Sequence, residues 1–469
     1  MELESAADHR TRRAPLRGGS LIVPEFNARP RLAKPIYFYW LIAGAAWLGS
    51  VAGIDSVAAM RIVPVLMGGF VVLGTYRLGV RLFGLRRGLL AAGMLMSLLE
   101  FQRLAQELVV DVTLAALVLW AWVFFVEATE RIARRERTAL PLLGFYVVLG
   151  LACLTKGPFM VALFVVLPAL VYLRLTRQLS QLREAGLIWG VPLALAIDGS
   201  WFLAVFVKGQ DTLSFFVREN LQRMMGQADH LHYVPFAFYL EVIWENLFPW
   251  SLLIPFAVVQ SSRFCRSGQH FSNGTKLVAC ASLVPFAILG LAVSKRSLYL
   301  VSLYPFIALA LAGTVERMLK TAETELKPAV WILVVGWLLA CGVNCFCFAE
   351  RSRQPGVEAF YRAVRDCVGD RPLVMFGESE NEAVWYLDRS TPVDRLSRVE
   401  LSTRFFRRED TLLLVSEKIL AREPELRRSI VTLATLQRGG RKFLIGRPDA
   451  NAPPDPALFA PRVTAAVTR

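Results

Sequence analysis

Charge is what this sequence has least of. Of 469 residues only 19% are Asp, Glu, Lys or Arg, where a water-surrounded domain carries about a quarter. Long polar stretches are correspondingly few. With 55% apolar and 11% aromatic residues, a disordered or fibrous chain is excluded. Histidine is scarce, four in all, and the seven cysteines form no CxxC pair. Neither a zinc framework nor a disulfide scaffold is therefore written in the chain. Cys341, Cys345 and Cys347 fall in an apolar run, where Cys serves as a small packing residue. No internal repeat is visible. The 53 basic residues outnumber the 38 acidic ones, giving a net charge of +15, yet they are not gathered into a stripe or arm. Nucleic acid is thereby excluded as a partner.

What fills the chain is a series of apolar runs at 36–53, 62–76, 88–101, 109–126, 140–154, 158–173, 186–207, 236–259, 277–293, 298–315 and 329–348. Mean hydropathy is +0.45, and the pattern is that of a polytopic membrane protein. Residues 1–34 are polar and basic, with no apolar core like that of a signal peptide. From about 355 the character changes. PLVMF (372–376), TLLLV (411–415) and KFLIG (442–446) read as strands, and EAFYRAVRDCV (358–368) as an amphipathic helix. The expected architecture is mainly α: a polar segment 1–34, a membrane domain 35–348, a small α/β domain 355–447 outside the bilayer, and a loose tail 448–469.

Basic loops orient the spans. Arg77, Arg81, Arg86 and Arg87 come first; Arg131, Arg134, Arg135 and Arg137 form the next alternate loop. Arg174, Arg177 and Arg183 follow, then Arg263, Arg266 and Lys276, then Arg317, Lys320 and Lys327. The positive-inside rule makes all five cytoplasmic. Loops 102–108, 155–157, 208–235, 294–297 and the C-terminal domain are then outside. Run 36–53 breaks the parity. Either it spans and puts the Lys34 region inside, or it lies along the outer interface, where Tyr37, Tyr39, Trp40 and Trp47 would be at home. The second choice asks for an earlier transmembrane helix upstream of residue 1.

The outer loops are short but chemically loaded. KPIYFYW (34–40) carries Lys34 and Tyr37, and LTKGP (154–158) carries Lys156. FVRENLQRM (216–224) sets Arg218, Glu219, Asn220 and Arg223 around one turn of helix, and SKRSLY (294–299) carries Lys295, Arg296 and Tyr299. For any one cation, snorkelling to lipid headgroups is the plainer reading. Together, on the face that should be poor in Lys and Arg, they point to an anionic ligand such as a phosphate. RLAQELVVD (103–111) places Glu107 and Asp111 four apart, as on one helical face. Either acid fits a general base, an orienting group or a metal ligand; the alternatives are an ion pair with Arg103 or a helix N-cap. Asp198, Glu241 and Glu245 lie deeper and are candidates for a polar cavity. His230 and His232 in the outer loop read as surface residues.

These motifs, in this order, resemble the C-type glycosyltransferases of the dolichyl-phosphate-mannose protein mannosyltransferase type, above all the bacterial branch with the 4-amino-4-deoxyarabinose lipid A transferases. The resemblance runs over about 20–315, through IVPEFNARPRLAKPIYFYW, MRIVPVLMGGFVVLGTYRLGVRLFG, ELVVD, GLACLTKGP, FFVRENLQRMMG, HYVPFAFYL, FPWSLLIP and SKRSLYLVSLYP. It implies that 36–53 is a juxtamembrane helix preceded by a further transmembrane helix. A polyprenyl-phosphate-linked sugar would enter from the membrane, its phosphate held by Lys and Arg. An acceptor on lipid A, another glycan or a protein would attack the anomeric carbon on the extracytoplasmic face of a bacterial inner membrane. Lys34 matches the family's phosphate-binding Lys and Asp111 its second loop acid. Lys156, Arg218, Glu219, Asn220, Arg223, Lys295 and Tyr299 match further motif positions. His232 matches a His associated with a metal, implying one divalent ion and no organic cofactor. Asp8, in DHRTRR, is the only acid near the place of the family's first-loop Asp; Ala33 stands where an acid often precedes Lys-Pro, and Ile36 replaces a Pro. The expected partners are the donor, the acceptor and membrane lipids, with the chain acting as a monomer.

Two other readings compete. A transporter or lipid flippase is favoured by Asp198, Glu241 and Glu245, but such folds usually carry internal repeats. A non-catalytic relative is favoured by the missing first-loop acid. The charge pattern predicts ten spans with loop 208–235 and the C-terminal domain outside. Reporter fusions after Val357 and within 131–137 should give outside and inside signals respectively; a cytoplasmic signal after Val357 contradicts the assignment.

Overall fold

The computed structural model describes residues 20–210, 237–321 and 357–449, apart from positions 28, 33, 55, 269, 293, 294, 379, 388, 390 and 409, together with 338, 342 and 343. The chain divides into two compact units: one joins Ser20–Val23 to Leu32–Cys347, the other joins Pro24–Arg31 to the C-terminal part from Phe348.

The first unit is a helical membrane body. Helices α1 (Tyr37–Val51), α2 (Ser56–Phe83), α3 (Leu85–Ser97), α4 (Leu99–Gln106), α5 (Val110–Ala133) and α6 (Ala139–Lys156) come first. They are followed by α7 (Pro158–Leu175), α8 (Leu187–Val207), α9 (Phe238–Asn246), α10 (Ile254–Arg266), α11 (Asn273–Leu291) and α12 (Tyr304–Thr321). Among the described residues six helices are long and apolar enough to cross a membrane, or eight if each bent pair counts as one span. Helix α1, at 15 residues, is about 22 Å long and short of the roughly 20 residues a span needs.

Two runs read as continuous in the sequence are broken. Residues 88–101 belong to α3 and α4, which meet at 68° where Leu98 is extended. Run 236–259 divides into α9 and the stretch Trp250–Arg266, bent by 113°; Pro249 in the corner has no N–H to continue a helical ladder. Run 298–315 starts as a 3-10 turn, Ser297–Ser302, before α12. Run 329–348 lies outside the described residues except for 338, 342 and 343.

Helix α5 is apolar on every side and is the axis of the body. Trp122 at its middle is fully buried, and its indole Nε1 donates to the Phe164 carbonyl at 3.0 Å. Phe164 belongs to a π-helical stretch of α7, Ala162–Val166, where a shifted ladder leaves carbonyls to be satisfied. Helices α2 and α3 touch backbone to backbone. A Cβ placed on Gly79 would fall 2.7 Å from the Gly88 Cα, and one on Gly88 would fall 2.8 Å from the Val80 nitrogen.

The second unit is a five-stranded sheet with helices on it. Strands β3 (Leu373–Phe376), β4 (Val393–Leu396), β5 (Leu412–Ser416), β6 (Ile430–Arg438) and β7 (Arg441–Pro448) lie in the order β4-β3-β5-β7-β6. Parallel pairing joins β3 to β4 and β5, antiparallel pairing joins β7 to β5 and β6. The central strand β5 is buried throughout, which is why it reads as an unbroken apolar run. The Gly439–Gly440 turn between β6 and β7 holds both residues at positive φ, as a two-residue hairpin requires. Helix α13 (Val357–Val368) packs Phe360, Tyr361 and Val364 against one face, and Leu401, Phe405 and Leu426 cover the other. A two-strand hairpin, β1 (Glu25–Phe26) and β2 (Arg29–Pro30), belongs to this unit. The Asn27 side chain accepts from the Val393 N–H and donates to the Val393 carbonyl, both at 2.8 Å. Arg29 meets Asp394 at 2.9 Å.

The α2–α3 contact yields a stability test. Gly88→Ala should destabilise the protein by about 1–3 kcal/mol, the usual cost of overpacking. Gly93→Ala, where a Cβ meets nothing within 4 Å, should be neutral or stabilising by up to about 1 kcal/mol from helix propensity. Thermal unfolding in detergent of the two variants measures the difference.

Candidate active site

The Lys-Gly-Pro sequence at 156–158 is a helix ending and a helix beginning in three residues. Lys156 closes α6, where the carbonyl end of the helix favours a cation. Gly157 has φ +93°, a conformation costly to a side-chain-bearing residue, and its N–H bonds back to the Cys153 carbonyl at 2.6 Å. Pro158 then opens α7, where its missing N–H costs nothing. Asp111 sits in the first turn of α5, whose N-cap Val109 offers no capping side chain. The amide end of α5 thus favours a carboxylate at the place where α6 delivers an ammonium.

The two groups meet. Lys156 Nζ donates to Asp111 Oδ1, with Asp111 only 5% exposed. The Tyr299 ring lies beneath the same ammonium, its centroid 4.5 Å from Nζ, a cation–π distance. Three separate sequence motifs, ELVVD, LTKGP and SKRSLY, therefore converge on one ammonium. A buried ion pair is a poor device for stability, because desolvating both charges offsets most of their attraction. Its presence here calls for a chemical reason.

Lys295 is buried and its Nζ donates to the Ala292 carbonyl at 2.6 Å. The Arg296 backbone N–H donates to the Tyr239 hydroxyl at 3.2 Å, so α9 holds the loop that carries both cations. Lys34 is half-buried ahead of α1, and Tyr37 stands in the first turn of that helix. Burial pushes the Tyr37 phenol above its ordinary range, leaving a neutral hydroxyl. Ile36, Phe38 and Tyr39 pack in one cluster with Val110 and Leu154, the close neighbours of Asp111 and Lys156. The entry to α1 is thereby set against the ion pair's own helices.

Two expectations need correction. Glu107 and Asp111 do not share a helical face: α4 ends at Gln106, Glu107 and Val109 are extended, and α5 starts at Val110. The Val109 N–H bonds to the Glu107 carbonyl at 2.8 Å, a tight turn that reorients the chain. Glu107 is also engaged elsewhere. Arg103 lies between Glu107, at 2.5 Å, and Glu100, at 2.6 Å. Glu241 and Glu245 are exposed on α9 rather than in a polar cavity. Asp8, Arg218, Glu219, Asn220, Arg223, His230 and His232 lie outside the described residues.

Sequence reasoning missed the buried hydroxyls. Besides Tyr239, Tyr304 accepts from Asn246 Nδ2 at 2.9 Å, and Trp250 Nε1 donates to Ser97 Oγ at 2.6 Å. Polar tips inside apolar runs were the available signal. For a metal, the described residues do not fit: they contain no group of three His, Cys, Asp or Glu placed to hold one.

Residues 33–201 match the family described as dolichyl-phosphate-mannose-protein mannosyltransferase. Curated relatives include the undecaprenyl phosphate-alpha-4-amino-4-deoxy-L-arabinose arabinosyl transferase of Pseudomonas aeruginosa strain LESB58, 30% identical over 340 residues, 70% of this chain and 57% of the relative. Arabinosyl transferase 1 of Pseudomonas fluorescens strain Pf0-1 is 29% identical over 65% of this chain and 52% of its own length. The chain thus spans about half the length of the curated relatives it matches. Among solved structures, ArnT from Cupriavidus metallidurans bound to undecaprenyl phosphate superposes with TM-score 0.71 at 17% identity, covering 96% of this chain and 94% of that one. The Archaeoglobus fulgidus oligosaccharyltransferase superposes at 0.55 and 14% identity, over 88% and 65%. In sequence the chain is similar to the protein mannosyltransferases and aminoarabinose transferases, it shares the fold of the C-type membrane glycosyltransferases, and it is a multi-pass membrane protein.

The ion pair makes a definite prediction. Lys156→Met leaves the Asp111 carboxylate buried without its partner and should destabilise by about 3–5 kcal/mol. Adding Asp111→Leu should restore much of the loss. Thermal melts of the single and double variants check this; additive losses contradict the pairing.

Proposed function

We propose that this protein transfers a sugar from a polyprenyl-phosphate donor to a lipid A, glycan or protein acceptor on the extracytoplasmic face of a bacterial inner membrane. The observation that carries this reading is the Asp111–Lys156–Tyr299 constellation, in which a buried carboxylate holds a partly exposed ammonium over an aromatic ring. Similarity to arabinosyl transferases that use undecaprenyl phosphate supports the same class of donor and an amino sugar as its cargo.

The chemistry divides between acid and cations. An ammonium has three donors; Lys156 gives one to Asp111 and keeps others for an anion. The donor phosphate gains negative charge as its bond to the anomeric carbon breaks. Lys156, together with Lys34, Lys295 and the matching arginines Arg218 and Arg223, stabilises that developing charge more than the ground state, which is the condition for catalysis. The acceptor oxygen forms the new bond to the anomeric carbon and passes its proton to Asp111, aided by Glu219 and Asn220 as orienting groups. Polyprenyl phosphate departs into the bilayer. The Asp8 and His232 assignments rest on the family pattern alone.

Asp111→Asn should lower transfer from undecaprenyl-phosphate-linked aminoarabinose about 100-fold or more, the scale of a lost general base, with membrane insertion intact. Glu107→Gln, whose carboxylate is spent on Arg103, should stay within a few-fold of wild type. Equal, near-wild-type turnover in both would remove Asp111 from the chemistry.

A further inference from the structure

Asp198 stands in the middle of α8 in an otherwise apolar stretch, LALAIDGSWFLAV. It is 7% exposed, and its Oδ1 is buried with no hydrogen-bond partner among the described residues. Asp111, the other buried acid among the described residues, has its ammonium; Asp198 has none among them. An unpaired carboxylate in such surroundings is costly, and the helix would form as well with Ala at that position. The mechanism above does not use it.

Its place follows from the crossing of α6 and α8. A Cβ on Gly150 would lie 2.8 Å from the Ile197 Cβ and 3.0 Å from the Ala194 carbonyl oxygen, and one on Gly190 would lie within the Tyr146 ring contact distance, at 2.0 Å. This close approach at Gly150 and Ile197 sets Asp198 level with the last turns of α6, which carry Cys153 and Lys156. Cys153 and Lys156 are three residues apart and share a helical face, separated by roughly 4.5 Å along the axis. Trp201, three residues beyond Asp198, packs in one cluster with Leu154 and Val110. Asp198 therefore lies one helical turn beneath the Lys156–Asp111 pair, in the same part of the body.

We propose that Asp198 is the counter-charge for a protonated amine on the donor sugar, held one turn beneath the phosphate-binding cations. The proposal rests on the polyprenyl-phosphate reading and deepens it. A donor with a phosphate at one end of its sugar and an ammonium at the other carries opposite charges a few ångströms apart. The body offers the complementary arrangement: ammonium groups at the upper level and an unmatched carboxylate below. A neutral sugar hydroxyl would supply a hydrogen bond to Asp198 but leave its charge uncompensated, so the site selects amines over hydroxyls or amides. Asp198 is in this sense a specificity residue, remote from the breaking bond.

The test is binding by the purified full chain in phosphatidylglycerol nanodiscs. Three probes are compared: undecaprenyl phosphate, undecaprenyl-phosphate-4-amino-4-deoxyarabinose, and the same donor with its amine N-formylated and uncharged. Wild type should bind the free amine about tenfold more tightly than the formylated donor. Asp198→Asn, which keeps shape and removes charge, should abolish that preference and leave undecaprenyl phosphate binding unchanged. An Asn variant that retains the wild-type preference overturns the proposal, as does a wild type without preference. If undecaprenyl phosphate binds but the amine is ignored, the Asp198 assignment alone falls. If none of the probes binds wild type, the polyprenyl-phosphate reading falls and takes the assignment with it.

Discussion

A largely buried charged pair is the constraint around which this protein is arranged. Lys156 and Asp111 sit at opposite kinds of helix end, the carbonyl end of α6 and the amide end of α5, so each helix favours the charge it carries. That match depends on α5 and α6 running antiparallel, on a glycine at 157 that ends one helix abruptly, and on a break after Gln106 that starts the other. Removing any of these would leave a charge in the bundle without its compensation. The aromatic ring of Tyr299 completes the enclosure from a third segment.

The apolar body has the opposite task, to hold these polar ends still. Where helices must approach closely they use glycines, as at the α2–α3 and α6–α8 crossings, in keeping with the small-residue contacts of membrane helices. Where they must bend, at Leu98 and around Pro249, Tyr239, Asn246 and Trp250 reach partly buried hydrogen bonds. Tyr239 in particular fixes the backbone at Arg296, next to buried Lys295.

Much of this was legible in the sequence. Apolar runs gave most of the helices because membrane spans need length and little else, and three strands of the C-terminal sheet were visible as short apolar runs. Strands β4 and β6 were not, because VDRL and the polar IVTLATLQR bury too few side chains to stand out. Asp111, Lys156 and Tyr299 were identified singly, from their loops and from the family pattern. Their convergence was not readable, since nothing in the spacing says which loop meets which. The Glu107–Asp111 face failed because a period of four was read across a segment that is extended. The affinity of residues 24–31 for the C-terminal unit was equally hidden: it rests on the Asn27 side chain that completes the edge of β4 and on the Arg29–Asp394 ion pair.

The central claim is that Lys156 serves a lipid-linked phosphate and not merely its own carboxylate partner. The most direct measurement is an experimental density map of the full chain in nanodiscs loaded with undecaprenyl phosphate. The account predicts phosphate density within hydrogen-bonding reach of Lys156 Nζ, on the side away from Asp111 and next to Tyr299. A phosphate bound elsewhere on the body, with the Lys156–Asp111 pair closed and shielded from it, would contradict the account.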